Sequence, residues 1–217
     1  MCGRFTLFAA PEKIFLHFRL SSAEDFAPRY NIAPMQTIPC IICDAMGKRT
    51  MQFFRWGLIP HWAEDSAVGA RLINARSETV STKPAFRSAF KRRRCLIPST
   101  GFFEWKREGK QKLPHFIGMK NKEPFAFAGI WERWTDPDGR AVDTCAILTT
   151  ASNDLVGLIH NRMPVILKPE DYGRWIDTAV SPESLEALLV PYPADLMKTC
   201  EVSRLVNDAR CDAPECI

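Results

Sequence analysis

Histidine is scarce in this chain: four among 217 residues, His17, His61, His115 and His160. Their scatter and unlike neighbours give little support to one shared metal site. Also absent is any run approaching the ~20 apolar residues of a membrane-spanning helix, so no membrane partner is expected. The first twenty residues lack a continuous apolar stretch, being interrupted by Arg4, Glu12, Lys13 and Arg19, and so do not read as a secretory leader. A cytoplasmic protein with reduced thiols is the expectation, despite eight cysteines. No internal repeat, low-complexity tract or linker-like segment divides the chain, which leaves one domain over residues 1–217 as the expected organisation. Excess charge of one sign is small. The 29 Lys and Arg against 25 Asp and Glu give +4, too little by itself to require a polyanionic partner.

What is present is an ordinary globular balance, 46% hydrophobic and 25% charged, with enough apolar mass for a substantial core. Positive charge is local. Lys91-Arg92-Arg93-Arg94 and the stretch 106–112 suit phosphate contacts, or equally a solvated face and a hairpin tip. Cys40 and Cys43, with Cys211 and Cys216 as a distant second pair, have some of the look of a zinc site. Yet Thr37–Cys43 reads as a buried strand, where cysteine behaves as a small hydrophobe. The wider second spacing and the lack of a nearby histidine weaken the metal reading further, and no metal is expected.

Short runs rich in Phe, Ile, Val and Trp fill the middle of the chain, at 37–43, 50–56, 94–97, 101–105, 115–119, 124–130, 144–150 and 164–167. Turn signals such as Asp136-Pro137-Asp138-Gly139 bound them, so they are expected strands. Helices are expected after Pro11, after Pro84 with Phe86 and Phe90, from Pro169 with Tyr172, Trp175, Ile176 and Ala179 as its stripe, and from Ser181-Pro182. Strands mostly follow strands. The fold class expected is therefore α+β, a single domain with a mostly antiparallel, partly closed, barrel-like sheet and peripheral helices.

Cys2 directly follows the initiator methionine in Met1-Cys2-Gly3-Arg4-Phe5. Removal of Met1 creates a terminal α-amine and a thiol two carbons apart. Such a 1,2-aminothiol condenses with an aldehyde to an imine, and the thiol then closes a thiazolidine ring. An ordinary α-amine pKa of about 7.7–8.0 leaves a useful neutral fraction near neutral pH. Glu104, in Gly101-Phe102-Phe103-Glu104-Trp105, would share a strand face with Phe102, opposite Phe103 and Trp105. A carboxyl among large apolar neighbours suits proton transfer. The alternative is a strand-edge carboxylate paired with Lys106 or Arg107. His160 precedes a polar loop and can shuttle protons, or be a satisfied structural histidine. Asn74, in Leu72-Ile73-Asn74-Ala75-Arg76-Ser77-Glu78, can hold a sugar hydroxyl while Arg76 grips a phosphate. A plain turn with an Arg76–Glu78 surface pair is the other reading. In Trp56-Gly57-Leu58-Ile59-Pro60-His61-Trp62, Trp56 reads as core and Trp62 as the stacking platform for an unpaired base.

Together with Arg29-Tyr30-Asn31-Ile32-Ala33-Pro34 and His160-Asn161-Arg162-Met163-Pro164, these blocks resemble the SOS response-associated peptidase (SRAP) family over residues 2 to about 205. The compact length resembles its bacterial members. The resemblance implies recognition of abasic sites in single-stranded DNA and cross-linking through the terminal cysteine. It implies Cys2 as nucleophile, Asn74 orienting the opened sugar, Glu104 as general acid/base and His160 assisting proton transfer. It further implies Arg4, Arg76 and Arg162 on the DNA backbone, with Asn31, Pro34 and Trp62 along the strand. The family name also implies peptidase-type removal of Met1, with no metal or organic cofactor, a monomer, and nucleoid association when bound to DNA.

The rival readings are other enzymes using an N-terminal cysteine nucleophile. Glutamine amidotransferases also begin Met-Cys-Gly, but neither an Arg-Gly-Pro-Asp block nor an Asn-Gly-Glu loop is present. A cysteine protease would pair Cys2 with His160. A non-catalytic nucleic-acid-binding module would not need Cys2 at all.

Overall fold

The structure, a computed structural model, describes residues 2–22, 25–44 and 46–217. Among these, the strands are β1 Phe5–Leu7, β2 Arg29–Ile32, β3 Thr37–Cys43, β4 Arg49–Trp56, β5 Asn74–Arg76, β6 Arg94–Ser99 and β7 Gly101–Glu108. They continue with β8 Gln111–Met119, β9 Phe125–Thr135, β10 Ala141–Ala151, β11 Arg162–Pro164, β12 Ile166–Leu167 and β13 Met197–Glu201. The short helices α1 Pro11–Phe18, α2 Arg87–Arg92, α3 Asp154–Gly157, α4 Tyr172–Ile176 and α5 Pro182–Leu185 lie around them. None is long and apolar enough to cross a membrane.

Five strands close on themselves in the order β10-β4-β3-β6-β9, with β9 returning to β10. The ring is antiparallel except where β10 meets β4 in parallel. Closure removes free edges from a set of strands whose apolar faces would otherwise be exposed. A second, wholly antiparallel sheet runs β13-β8-β7-β1-β2. Phe5 of β1 joins the two, packing edge-on to Trp56 at 5.2 Å and to Phe127 at 5.7 Å. Such a fully buried ring contributes roughly 2–3 kcal/mol by burial alone. The α+β class and barrel-like closure expected from the strand succession are what the structure has.

The chain crosses from barrel to second sheet within one residue, Thr100, between β6 and β7. Gly101 permits this, because a Cβ there would fall 2.1 Å from the Phe116 ring. Downstream, Phe102 joins the main core while Phe103 and Trp105 face a smaller cluster with Phe116, Val206 and Cys216. This is the expected alternation of faces, and it sets Glu104 on the side of Phe102.

Several expectations change. The single strand expected at 164–167 is two, β11 on β10 and β12 on β9. Val165 is the crossing point, its N–H donating to Leu148 O and its carbonyl accepting from Ala128 N. The helix from Pro169 ends at Ile176, leaving Ala179 exposed beyond it. The basic run 91–94 is not a phosphate patch throughout. Arg94 is buried, donating to the carbonyls of Phe90, Lys91, Trp175, Asp177 and Val180, and Arg93 is paired with Glu132. Five backbone acceptors satisfy a buried guanidinium that water no longer reaches.

Candidate active site

Four residues from distant parts of the sequence lie near the start of β7, where the chain has passed from the barrel into the second sheet. Cys2 lies just ahead of β1 and is fully buried. Its carbonyl accepts a hydrogen bond from Asn74 Nδ2 at 2.8 Å, and its thiol points back to Arg4 O at 3.8 Å. Asn74 opens β5, which is held in parallel register on β10 with Asn74 opposite Ile147. Its other amide atom, Oδ1, is buried and accepts no hydrogen bond among the described residues. A buried acceptor without a donor is uncommon, and here it stands beside Cys2.

Glu104 is almost wholly buried in β7. The alternative reading, a surface pair with Lys106, is overturned, because Lys106 binds Glu108 at 2.7 Å instead. Burial pushes the Glu104 carboxyl above its ordinary range, against the opposing pull of His160. Burial above all also pushes the Cys2 thiol far up, so it rests as the protonated thiol.

His160 follows α3, whose Asn153 caps the Val156 N–H at 2.9 Å. The Arg162 N–H lies 3.1 Å from His160 Nδ1, and the Arg162 carbonyl oxygen lies 3.2 Å from the same ring nitrogen. Glu104 and His160 share the wall of a cavity of about 420 Å³ with Trp105, Arg107, Lys112 and Asn207. None of the last four was among the site residues expected from the sequence. Arg107 and Lys112 lay inside the basic stretch 106–112, and their positions across the β7–β8 hairpin, Arg107 opposite Lys112, turn that stretch toward the cavity. Asn207 arrives from the C-terminal segment and accepts from Trp105 Nε1 at 2.7 Å.

The six residues implied as DNA contacts divide by placement. Trp62 and Arg76 are exposed, and Pro34 is half-buried. Asn31 is fully buried, and its Nδ2 donates to the carbonyls of Val206, Asp208 and Cys211. Its side chain is spent on holding the C-terminal segment and does not meet a strand directly. Arg4 binds the same scaffold, Asn31 Oδ1 at 3.2 Å and Val206 O at 2.7 Å. Arg162 grips Glu78 in a two-pronged pair at 2.8 and 2.9 Å and donates to Thr149 O. The surface pair expected of Glu78 is thus made with Arg162 and not with Arg76. Met1 and its removal lie outside the described residues.

A family profile described as SOS response associated peptidase (SRAP) matches residues 1–209. Abasic site processing protein YoqW of Bacillus subtilis is 45% identical, over 100% of this chain and 99% of that protein. Abasic site processing protein HMCES of Xenopus tropicalis is 28% identical, over 100% of this chain and 78% of its own length. A crystal structure of a protein from Bacteroides thetaiotaomicron superposes with a TM-score of 0.88 at 28% identity, covering 99% of this chain and 96% of that one.

Proposed function

The chain belongs to the SOS response associated peptidase (SRAP) family, and from that premise we propose that it processes abasic sites, capturing them in single-stranded DNA through Cys2. Relatives named for abasic site processing support the broader activity. The observation that carries the finer reading is the placement of Glu104 and His160 on the wall of one basic-walled cavity, with Cys2 close enough to Glu104 to feel its charge and bonded through its carbonyl to Asn74.

An abasic deoxyribose is mostly a closed hemiacetal. Glu104, whose protonated form burial favours, donates a proton to the ring oxygen through one carboxyl oxygen and takes the anomeric hydroxyl's proton on the other, and the aldehyde is exposed. The Cys2 α-amine, free once Met1 is removed, adds to the aldehyde carbon, and loss of water gives the imine. Asn74 Oδ1 accepts the hydrogen of the freed sugar hydroxyl, while Asn74 Nδ2 fixes the Cys2 carbonyl. The thiol sulfur then bonds to the imine carbon, and its proton passes to the nitrogen, with His160 as the relay. One water leaves overall. The thiazolidine has no imine left to drive β-elimination, so the strand stays whole.

The protonated, buried thiol suits this order, in which the amine attacks first and sulfur second. It suits a resting thiolate–imidazolium protease dyad poorly. Removal of Met1 is read as self-processing at the same residues. Arg76, Arg107 and Lys112 supply the phosphate contacts, Pro34 and Trp62 border the strand, and Arg4, Asn31 and Arg162 shape the site from behind. The protein works as a monomer on the nucleoid.

The test is denaturing electrophoresis after mixing the protein with a uracil-glycosylase-treated single strand. Wild type should give a slow-migrating adduct and Cys2→Ser none, with casein left undegraded and intact mass fixing the state of residue 1. An equal adduct from Cys2→Ser, or none from wild type whose mass shows Cys2 at the terminus, sinks the reading.

A further inference from the structure

Residues 57–65, which carry Trp62, are tied down at alternate positions. The Gly57 N–H donates to Cys145 O at 2.9 Å, and the loop is pinched at its base. Gly57, at φ +141°, has no room for a side chain because a Cβ would lie 2.8 Å from Gly69 O. The Ile59 N–H donates to Thr144 Oγ1 at 2.9 Å, and that hydroxyl donates in turn to Glu132 O at 3.2 Å. His61 Nδ1 lies 3.4 Å from Glu132 Oε2, and the buried Glu132 is held from the other side by Arg93 at 2.6 Å. Trp134 Nε1 donates to Ala63 O at 2.7 Å. Ile59, His61 and Ala63 are therefore all anchored to β9 and β10. Trp62, between two anchored neighbours, is left 57% exposed.

An exposed indole on an irregular loop is an unusual thing to hold rigidly. Burial cannot be the purpose, since the ring is in solvent. Rigidity does matter for a stacking surface, because a platform ordered beforehand does not lose loop freedom when a base settles on it. We infer that Trp134 and Glu132, the latter through His61 and braced by Arg93, are positioning residues that set Trp62 as a preformed platform for an unpaired base. This rests on the reading of Trp62 as a strand contact.

The experiment measures cross-linking rate against concentration of abasic single strand, together with ¹⁹F spectra of the free protein labelled with 5-fluorotryptophan. Trp62→Ala is expected to raise the half-saturating concentration about tenfold, the value of one stacked base. Trp134→Phe is expected to raise it about fivefold, as for one lost hydrogen bond, and His61→Ala about twofold, all with the maximal rate unchanged. In the Trp62→Ala background neither should add anything. His61 is exposed, so its variant carries little folding risk. In the free protein both variants should broaden or shift the Trp62 resonance, which Trp62→Phe identifies. If Trp62→Ala leaves half-saturation unchanged, the strand-contact reading fails whatever the spectra show. If Trp62→Ala weakens binding but the other two do not, or weaken it equally in the Trp62→Ala background, or leave the Trp62 resonance unmoved, the positioning inference fails while that reading stands.

Discussion

Glu104 and Asn31 are both buried polar residues, and they do opposite things. Asn31 satisfies three carbonyls of the C-terminal segment and one guanidinium, so its loss leaves several buried groups unpaired. Asn31→Leu should destabilise the fold by about 2–4 kcal/mol in urea titration, with little change in the salt dependence of DNA binding. Glu104 instead has its protonated form favoured by burial. Its ordinary value is 4.5 and the folded state raises it, so the folded form binds more protons than the unfolded one above that pH. The stability this group contributes is complete below pH 4.5 and is lost as pH rises through the raised value. Glu104→Gln should flatten that decline in denaturant titrations across pH. It should also slow adduct formation by about 10²-fold or more while changing strand affinity far less. Equal loss of both would move Glu104 from chemistry to structure. The Phe102/Glu104 face was legible from alternation alone, whereas the commitment of Asn31 was not, because its partners lie 175–180 positions away.

At the scale of elements, the β7–β8 hairpin carries both the proposed acid and the proposed phosphate grip. Glu104 sits at its base, and Arg107 and Lys112 face each other nearer the turn, on the same cavity. If these and Arg76 each contact a phosphate, as proposed, binding to a single strand should follow a log–log salt slope of roughly −2. Arg107→Ala with Lys112→Ala should reduce that slope by about 1.4, measured by fluorescence anisotropy from low to physiological salt. An unchanged slope would return the hairpin to solvent. The long strands were readable because their apolar runs exceed five residues, as in Thr37–Cys43. The strands β1, β2, β5 and β13 were not. Three to five residues long, they carry too few alternations to reveal a period, and pairing partners alone define them. Two of them, β1 and β5, hold Cys2 and Asn74 in place.

Across the whole molecule, the C-terminal segment closes the structure over its own beginning. Asp212 accepts from the N–H groups of Tyr30 and Asn31 and pairs with Arg29, covering the free edge of β2. Val206 O receives Arg4, two residues from the nucleophile. A chain ending at residue 203 should therefore lose several kcal/mol of stability and cross-link poorly even where it remains folded, as read by thermal melts and gel assay. If the shortened chain melts and reacts like the full one, the segment is ornamental. The sequence by itself determined the composition of the core, the succession of long strands and the identity of the reactive groups, because periodicity and side-chain chemistry are local properties. Only the tertiary structure decided which polar residues face solvent and which face the protein. Arg4, Arg94 and Arg162 look alike in the sequence to Arg76 and Arg107. Their fates differ because a guanidinium that long-range contacts remove from water must find carbonyls or a carboxylate inside, and one left at the surface stays open to a phosphate.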